Sequence, residues 1–226
     1  GITHAGIRNL PGTKIGNRPT GETFYTPPDG EDLLRSLLKN FEEYYNNDSD
    51  DPDYLIKMAV LHYQFEAIHP FFDGNGRTGR ILMVLYLVLH ANLISPTLFI
   101  SQYINKNKSE YYRLLREVTY KENWEEWILF ILDATETQAT QTNQIILNIL
   151  DLKRDFKNNI LPNFNFTYSQ ELATYIFSNA FYTQNQLMKS TPIKSNKTAL
   201  DYMNSLEEKG VFKTMESKTK EKVYYF

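Results

Sequence analysis

His69-Pro-Phe-Phe-Asp-Gly-Asn-Gly-Arg-Thr-Gly-Arg80 puts a histidine, an acid, a Gly-Asn-Gly turn and two arginines into one short run between apolar, helix-patterned segments. Gly74 and Gly76 flank Asn75 where a helix begins, so backbone N–H groups point outward as an anion nest, and the helix dipole favours a phosphate there. Arg77 and Arg80 stand three apart on that helix and supply planar, permanently charged donors for more than one phosphate, which suits a nucleoside triphosphate. Asp73, just before the nest, is placed to hold a hard divalent cation; magnesium takes only one or two protein carboxylates. His69 is placed to take the proton of an attacking hydroxyl beside bound phosphates, on a loop stiffened by Pro70 and Phe71. Phe71 itself reads as an apolar anchor. The chemistry these residues imply is attack on phosphorus.

Outward from this run the patterns are helical. Leu33, Leu34, Leu37, Leu38, Phe41 and Tyr44 recur at three- and four-residue steps, and a helix over 54–67 brings Leu55, Met58, Ala59, His62, Phe65 and Glu66 near one another. The apolar stretch after Arg80 predicts a central core helix, buried on most faces. Further helices are expected over 101–119 and from Trp124 to near Phe156. Residues 1–30, rich in proline and glycine around Phe24-Tyr25, read as a hairpin-like flap. Asn158 to Asn165, containing Pro162, is the candidate linker, which sets expected domains at 1–157 and 158–226. The tail predicts helices over 169–179, 183–190 and 195–209, then two strands around a polar turn from Glu216 to Glu221, the order of a winged helix.

Composition narrows the classes. The 226 residues are 42% hydrophobic and 23% charged and contain no cysteine, which excludes a disulfide scaffold, thiolate zinc sites and a cysteine nucleophile. The longest apolar run, Ile81 to Leu89, is too short to span a bilayer. The start, Gly1-Ile2-Thr3-His4, has neither an initiator Met nor a signal-peptide pattern and is expected to be a processed or truncated end; a cytoplasmic location is expected. Lys plus Arg number 13 against 19 Asp plus Glu in residues 1–150, but 11 against 8 in residues 151–226. The tail is thus mildly basic, well short of the basic stripe that would itself argue for nucleic acid.

The run from His69 to Arg80 resembles the signature of the Fic (Fic/DOC) family, His-x-Phe-x-(Asp or Glu)-Gly-Asn-Gly-Arg-x-x-Arg, at every specified position. The preceding Leu61-His-Tyr-Gln-Phe-Glu-Ala-Ile68, then Tyr25-Thr-Pro-Pro28, Tyr111-Tyr112 with Leu115, and Trp124 with Trp127, are also similar to the family, over roughly residues 8–135. The resemblance implies a mainly α fold: a Fic-type helical core with a β-hairpin flap, followed by a winged-helix tail like that of many bacterial members. It implies transfer of AMP from ATP to a Ser, Thr or Tyr hydroxyl of a target protein, the chain itself included, with pyrophosphate released. His69 would be the general base and Asp73 the Mg2+ ligand. Gly74, Asn75 and Gly76 would cradle the phosphates, Asn75 and Arg77 helping to orient them, and Arg80 would hold the γ-phosphate. Tyr112 and Leu115 would line the adenine pocket, and a flap over about residues 14–26, with Thr23, Phe24 and Tyr25, would align the target by strand addition. A homodimer is a further expectation.

Many family members silence themselves with Ser/Thr-x-x-x-Glu followed by Gly or Asn; no such hexapeptide occurs in residues 1–226, so the chain is expected to bind nucleotide constitutively. Two other readings are weighed beside transfer: removal of AMP at the same site, and a nucleotide-sensing regulator that binds DNA through its tail. The predicted recognition helix carries Lys197 and Lys209 but also Asp201, Glu207 and Glu208, and no arginine for guanine contacts, so a docking or packing role is favoured over DNA. Lys213, Lys218, Lys220 and Lys222 in the wing are explained equally by phosphate contact or by edge protection.

Overall fold

Gly30 turns the chain with a φ of 100°, a value side chains resist, and Glu31 and Asp32 then open helix α1 (Glu31–Asn46) at the positive end of its dipole. The structure is a computed structural model that describes residues 6–17, 21–47, 53–91, 93–216 and 222–225, with Asn17 and Glu22 described by backbone alone. Before α1, strands β1 (Ile15–Asn17) and β2 (Glu22–Tyr25) form an antiparallel hairpin, the expected flap; residues 18–20 lie outside the described residues. Helix α2 (Tyr54–Ile68) starts from Asp53, whose carboxylate accepts a hydrogen bond from the Leu55 N–H at 2.8 Å. Then come α3 (Asn75–His90), α4 (Ile100–Lys106), α5 (Lys108–Lys121) and the long α6 (Trp124–Asp155). The single helix expected over 101–119 is thus two, broken at Asn107, which ends α4 and begins α5.

Contacts divide the chain into two units, Gly1–Thr142 and Asn143–Phe226, a division that falls within α6 rather than at the linker expected near 158. The first unit is built around α2, not α3. Met58, Ala59, Leu61, Phe65 and Ile68 are buried together with Lys57, His62 and Glu66, so polar side chains inside the core disguise how deeply α2 is enclosed. Helix α3 was expected to be the central helix, yet Ile81, Leu85 and Leu89 remain 59%, 42% and 67% exposed along one face. Leu34 and Phe41 of α1, Met83, Tyr86 and Leu87 of α3, and Trp127 and Ile131 of α6 complete this core.

The second unit has its own core, including Phe156, Leu172, Leu187, Met203, Leu206, Phe212 and Tyr224. After a π-turn over Phe156–Ile160 and a 3-10 turn over Leu161–Asn163 come α7 (Ser169–Ile176), α8 (Gln184–Ser190) and α9 (Asn196–Glu208). Strands β3 (Lys213–Glu216) and β4 (Lys222–Tyr225) then pair antiparallel, and Tyr182 bridges to Tyr224 with N–H to carbonyl bonds of 2.9 Å in both directions. The connecting turn, with Lys218 and Lys220, lies outside the described residues.

Trp127 is fully buried, stacks on His62 and donates from Nε1 to the Ala59 carbonyl at 2.9 Å. Trp127→Phe removes that bond and part of the packed volume, and is expected to cost about 2 kcal/mol, read from urea unfolding.

Candidate active site

Helix α2 ends at His69 in the left-handed conformation, with φ 49° and ψ 58°, and its N–H still bonds to the Phe65 carbonyl at 3.0 Å. The reversal throws Pro70 and Phe71 across the helix end, where Phe71 packs against Phe65 at 6.1 Å between ring centroids. Asn75 then locks the loop. Its Oδ1 accepts from the Phe71 N–H at 2.8 Å and its Nδ2 donates to the Phe71 carbonyl at 2.7 Å. With Oδ1 and Nδ2 both bonded to Phe71 and the residue only 2% exposed, what Asn75 offers a bound anion is its backbone N–H.

Gly74 adopts φ 88° and begins α3 with no side-chain cap, so the first N–H groups of α3 are free to meet an anion. Asp73 accepts the Gly74 N–H at 2.7 Å on Oδ1 and meets Arg77 Nη2 at 3.3 Å on Oδ2. Both side chains of that pair are largely exposed, 72% for Arg77 and 81% for Asp73. Arg80 runs back over Gly76, where a Cβ would sit 3.0 Å from Nη1, and its Nε donates to Ser101 Oγ at 3.1 Å.

These residues line one open trough of about 630 Å³: His69, Asp73, Gly74, Asn75, Gly76, Arg77 and Arg80, faced by Thr23 of the flap and by Tyr112 of α5. A second cavity of about 140 Å³ shares His69, Gly76, Arg80 and Tyr112 with it and adds Phe24, Tyr25, Leu115 and Glu66. The sequence-derived site residues therefore meet in two adjoining spaces, with Thr23 in the trough and Leu115 in the cavity. Phe24 and Tyr25 are neighbours in one strand yet both line the cavity, because the pairing shifts register between Ile15 and Gly16 and breaks the strict alternation. Tyr25 anchors the flap: its hydroxyl donates to the Ala67 carbonyl at 2.9 Å, and burial pushes its pKa up to about 12. The ring of Phe24 lies under the Arg116 guanidinium, 5.1 Å from the ring centroid.

Beneath the site is a polar floor made by His62, Glu66 and Tyr111. His62 Nε2 and the Tyr111 hydroxyl are 3.0 Å apart, while His62 Nδ1 and Glu66 Oε1 are buried without a hydrogen-bond partner. Burial, with Arg80 adding to it, drives the His62 pKa down to about 3. Burial raises Glu66 to about 7, opposed by Arg80. Burial also lowers His69, opposed by the Glu66 carbonyl. Both floor residues press on Gly79, where a Cβ would lie 2.7 Å from Glu66 Oε1 and 3.1 Å from His62 Nδ1. Spacing held the signal for Glu66 and His62, three and seven residues before His69 on one helix. Arg8, 1% exposed and bonded to the His69 carbonyl, carried none.

Residues 4–87 match the Fic/DOC family model. Among curated proteins, the chain is 34% identical over 110 residues to "Protein adenylyltransferase Fic" of Drosophila grimshawi, covering 48% of this chain and 21% of that protein. The counterpart from Drosophila mojavensis is also 34% identical over 110 residues, covering 48% and 20%. The chain thus spans about a fifth of the length of the curated relatives it matches. Among solved structures, a Fic family protein from Desulfovibrio desulfuricans G20 matches 89% of this chain and 57% of its own, at 21% identity and a TM-score of 0.48.

Gly79→Ala forces Glu66 and His62 apart and is expected to cost about 1–3 kcal/mol, read from thermal or urea unfolding. The floor also sets a pH signature. A carboxyl raised on folding stabilises the protein below its unfolded pKa, and that advantage is lost as pH climbs through its folded value of about 7. A histidine lowered on folding gives the opposite slope below 6.5, so the two nearly cancel between 4.5 and 6.5. Glu66→Gln removes one of them. Its stability should rise with pH where wild type is flat, and it should gain up to about 3 kcal/mol over wild type at pH 8, measured by thermal unfolding across the range.

Proposed function

We propose that this chain is a Fic-family protein adenylyltransferase that moves AMP from ATP to a Ser, Thr or Tyr hydroxyl of a target protein. The observation that carries this is the single trough in which His69, Asp73, the Gly74–Gly76 turn, Arg77 and Arg80 converge. Triphosphate oxygens lie against the α3 N-terminus, where backbone N–H groups of 75–77 donate and Arg77 and Arg80 supply charge, Arg80 toward the γ-phosphate. The base enters the adjoining cavity against Tyr112, Leu115 and Phe24. His69 removes the acceptor proton as its oxygen attacks the α-phosphorus; the bond to the β-phosphate oxygen breaks, and pyrophosphate leaves.

Among the described residues no group of three or more His, Cys, Asp or Glu could hold a metal alone. A magnesium ion carried by the triphosphate asks for only one or two protein carboxylates, and Asp73, exposed beside the nest, fits that demand. When bound, the ion supplies charge neutralisation on the phosphate oxygens. Among the described residues β1 and β2 form a two-stranded sheet, and its edge is where an extended target segment would add as a strand. The second unit is read as a winged helix, supported by three helices followed by a hairpin and by the Tyr182 to Tyr224 bridge as a third short strand.

The test is incubation with magnesium and ATP labelled on the α-phosphate, reading protein-bound label by intact mass for the chain and for His69→Ala. Label on the wild type, and loss of about 100-fold or more in the variant, is expected. Equal labelling of both, or no ATP binding by calorimetry, overturns the reading. Because burial lowers the His69 pKa, the base stays free in mildly acidic solution. The acid limb of the rate profile should therefore fall below the ordinary histidine value of 6.5, as a pH series of labelling rates will show.

A further inference from the structure

We infer that Arg8 is a positioning residue that fixes the spacing between the His69 loop and the flap. Its guanidinium, 1% exposed, donates from Nε to the His69 carbonyl at 2.8 Å and from Nη2 to the Ile68 carbonyl at 3.4 Å. On its other side Nη1 meets Asp29 Oδ1 at 2.8 Å and Nη2 donates to the Pro28 carbonyl. Asp29 Oδ2 in turn accepts the Gly12 N–H at 2.9 Å. Gly12 precedes β1, and Pro28 and Asp29 follow β2, so both feet of the flap hang from the fork that holds the end of α2. The backbone adds to the tie: the Arg8 N–H donates to the Pro70 carbonyl at 2.8 Å, and Ile7 bridges to Phe71.

A planar fork with several donors in fixed directions is what this geometry uses, and a lysine ammonium cannot supply it. Arg8 is absent from the linings of both the trough and the cavity, so its influence on transfer passes through the placement of His69 and the flap, not through contact with nucleotide. Its charge also disfavours the imidazolium of His69.

The inference rests on the transfer reading for its rate arm, and the experiment separates the two. Arg8→Ala, Arg8→Lys and Asp29→Asn are compared with wild type in magnesium ATP affinity by calorimetry, self-labelling rate at saturating ATP, and titration of the His69 ring by NMR. In Arg8→Ala and Arg8→Lys the labelling rate should fall about tenfold or more while ATP affinity stays within about twofold, and in Arg8→Ala, which also removes the charge, the His69 ring should titrate at higher pH. Asp29→Asn should show a smaller loss of rate with the same unchanged affinity. Should Arg8→Ala fail to fold, Arg8→Lys and Asp29→Asn decide by the fall in rate against unchanged affinity. Affinity falling in step with rate would reduce Arg8 to general support of the fold and overturn the inference, as would unchanged rate and unchanged titration. If wild type takes no label, the transfer reading fails on its own, and a His69 ring that titrates alike in wild type and Arg8→Ala still overturns the role of Arg8.

Discussion

The backbone reversal at His69 is the constraint on which the rest of the site depends. A residue other than glycine held at φ 49° and ψ 58° costs about 1–2 kcal/mol, and it persists only where its surroundings leave no alternative. Here Arg8 grips the carbonyls of residues 68–70 from one side, and the Asn75 amide grips both backbone groups of Phe71 from the other. Between those clamps the loop has no freedom left, so the imidazole stands where α3 begins and the α3 N–H groups face the same trough. Gly74 can then turn with its own positive φ at little cost, since glycine carries no Cβ. Two clamps, one strained residue and one permissive one thus convert two packed helices into a site.

The floor below is a second consequence of α2 and α3 packing so closely. Gly79 lets the helices approach, and the space it leaves is filled by Glu66 and His62 rather than by hydrocarbon. Burial pushes the two toward their neutral forms, the carboxyl up and the imidazole down. That matters for a phosphate site, because a fully charged carboxylate beneath it, in a medium of low dielectric, would repel the ligand strongly. With burial shifting Glu66 toward its neutral form, Arg80 is less fully neutralised from behind and keeps more of its charge for the trough.

The run from His69 to Arg80 announced itself in the sequence because its chemistry is local: every group stands within a few residues of the next. Helices α1, α2 and α6 were legible from apolar spacing, and the two hairpins from their turn-rich flanks. What escaped was nonlocal or masked. Polar residues at buried positions hid α2 as the centre of the core, whereas the apolar outer face of α3 made that helix look more enclosed than it is. Arg8 sits in a stretch of glycine, asparagine and proline with no period, and its partners lie roughly twenty and sixty residues away, a pairing that only tertiary structure creates. The Asn75 side chain shows the complementary limit: residue type suggested contact with phosphate, and both of its hydrogen-bonding groups turned out to serve the loop.

One contact looks at first as though it closes the site, since Asp73 and Arg77 meet across the mouth of the trough. Exposure argues otherwise. A pair this open to solvent is worth at most about 1 kcal/mol, because water and salt solvate both partners nearly as well apart as together. A polyphosphate offering several oxygens to Arg77, and a cation offering charge to Asp73, replaces that contact with stronger ones on each side. The pair therefore keeps two opposite charges in place without holding them, while Lys14 and Arg80 leave the trough positive before its ligand arrives. Arg80, steadied by Ser101 and partly buried, is the cation whose position is set beforehand.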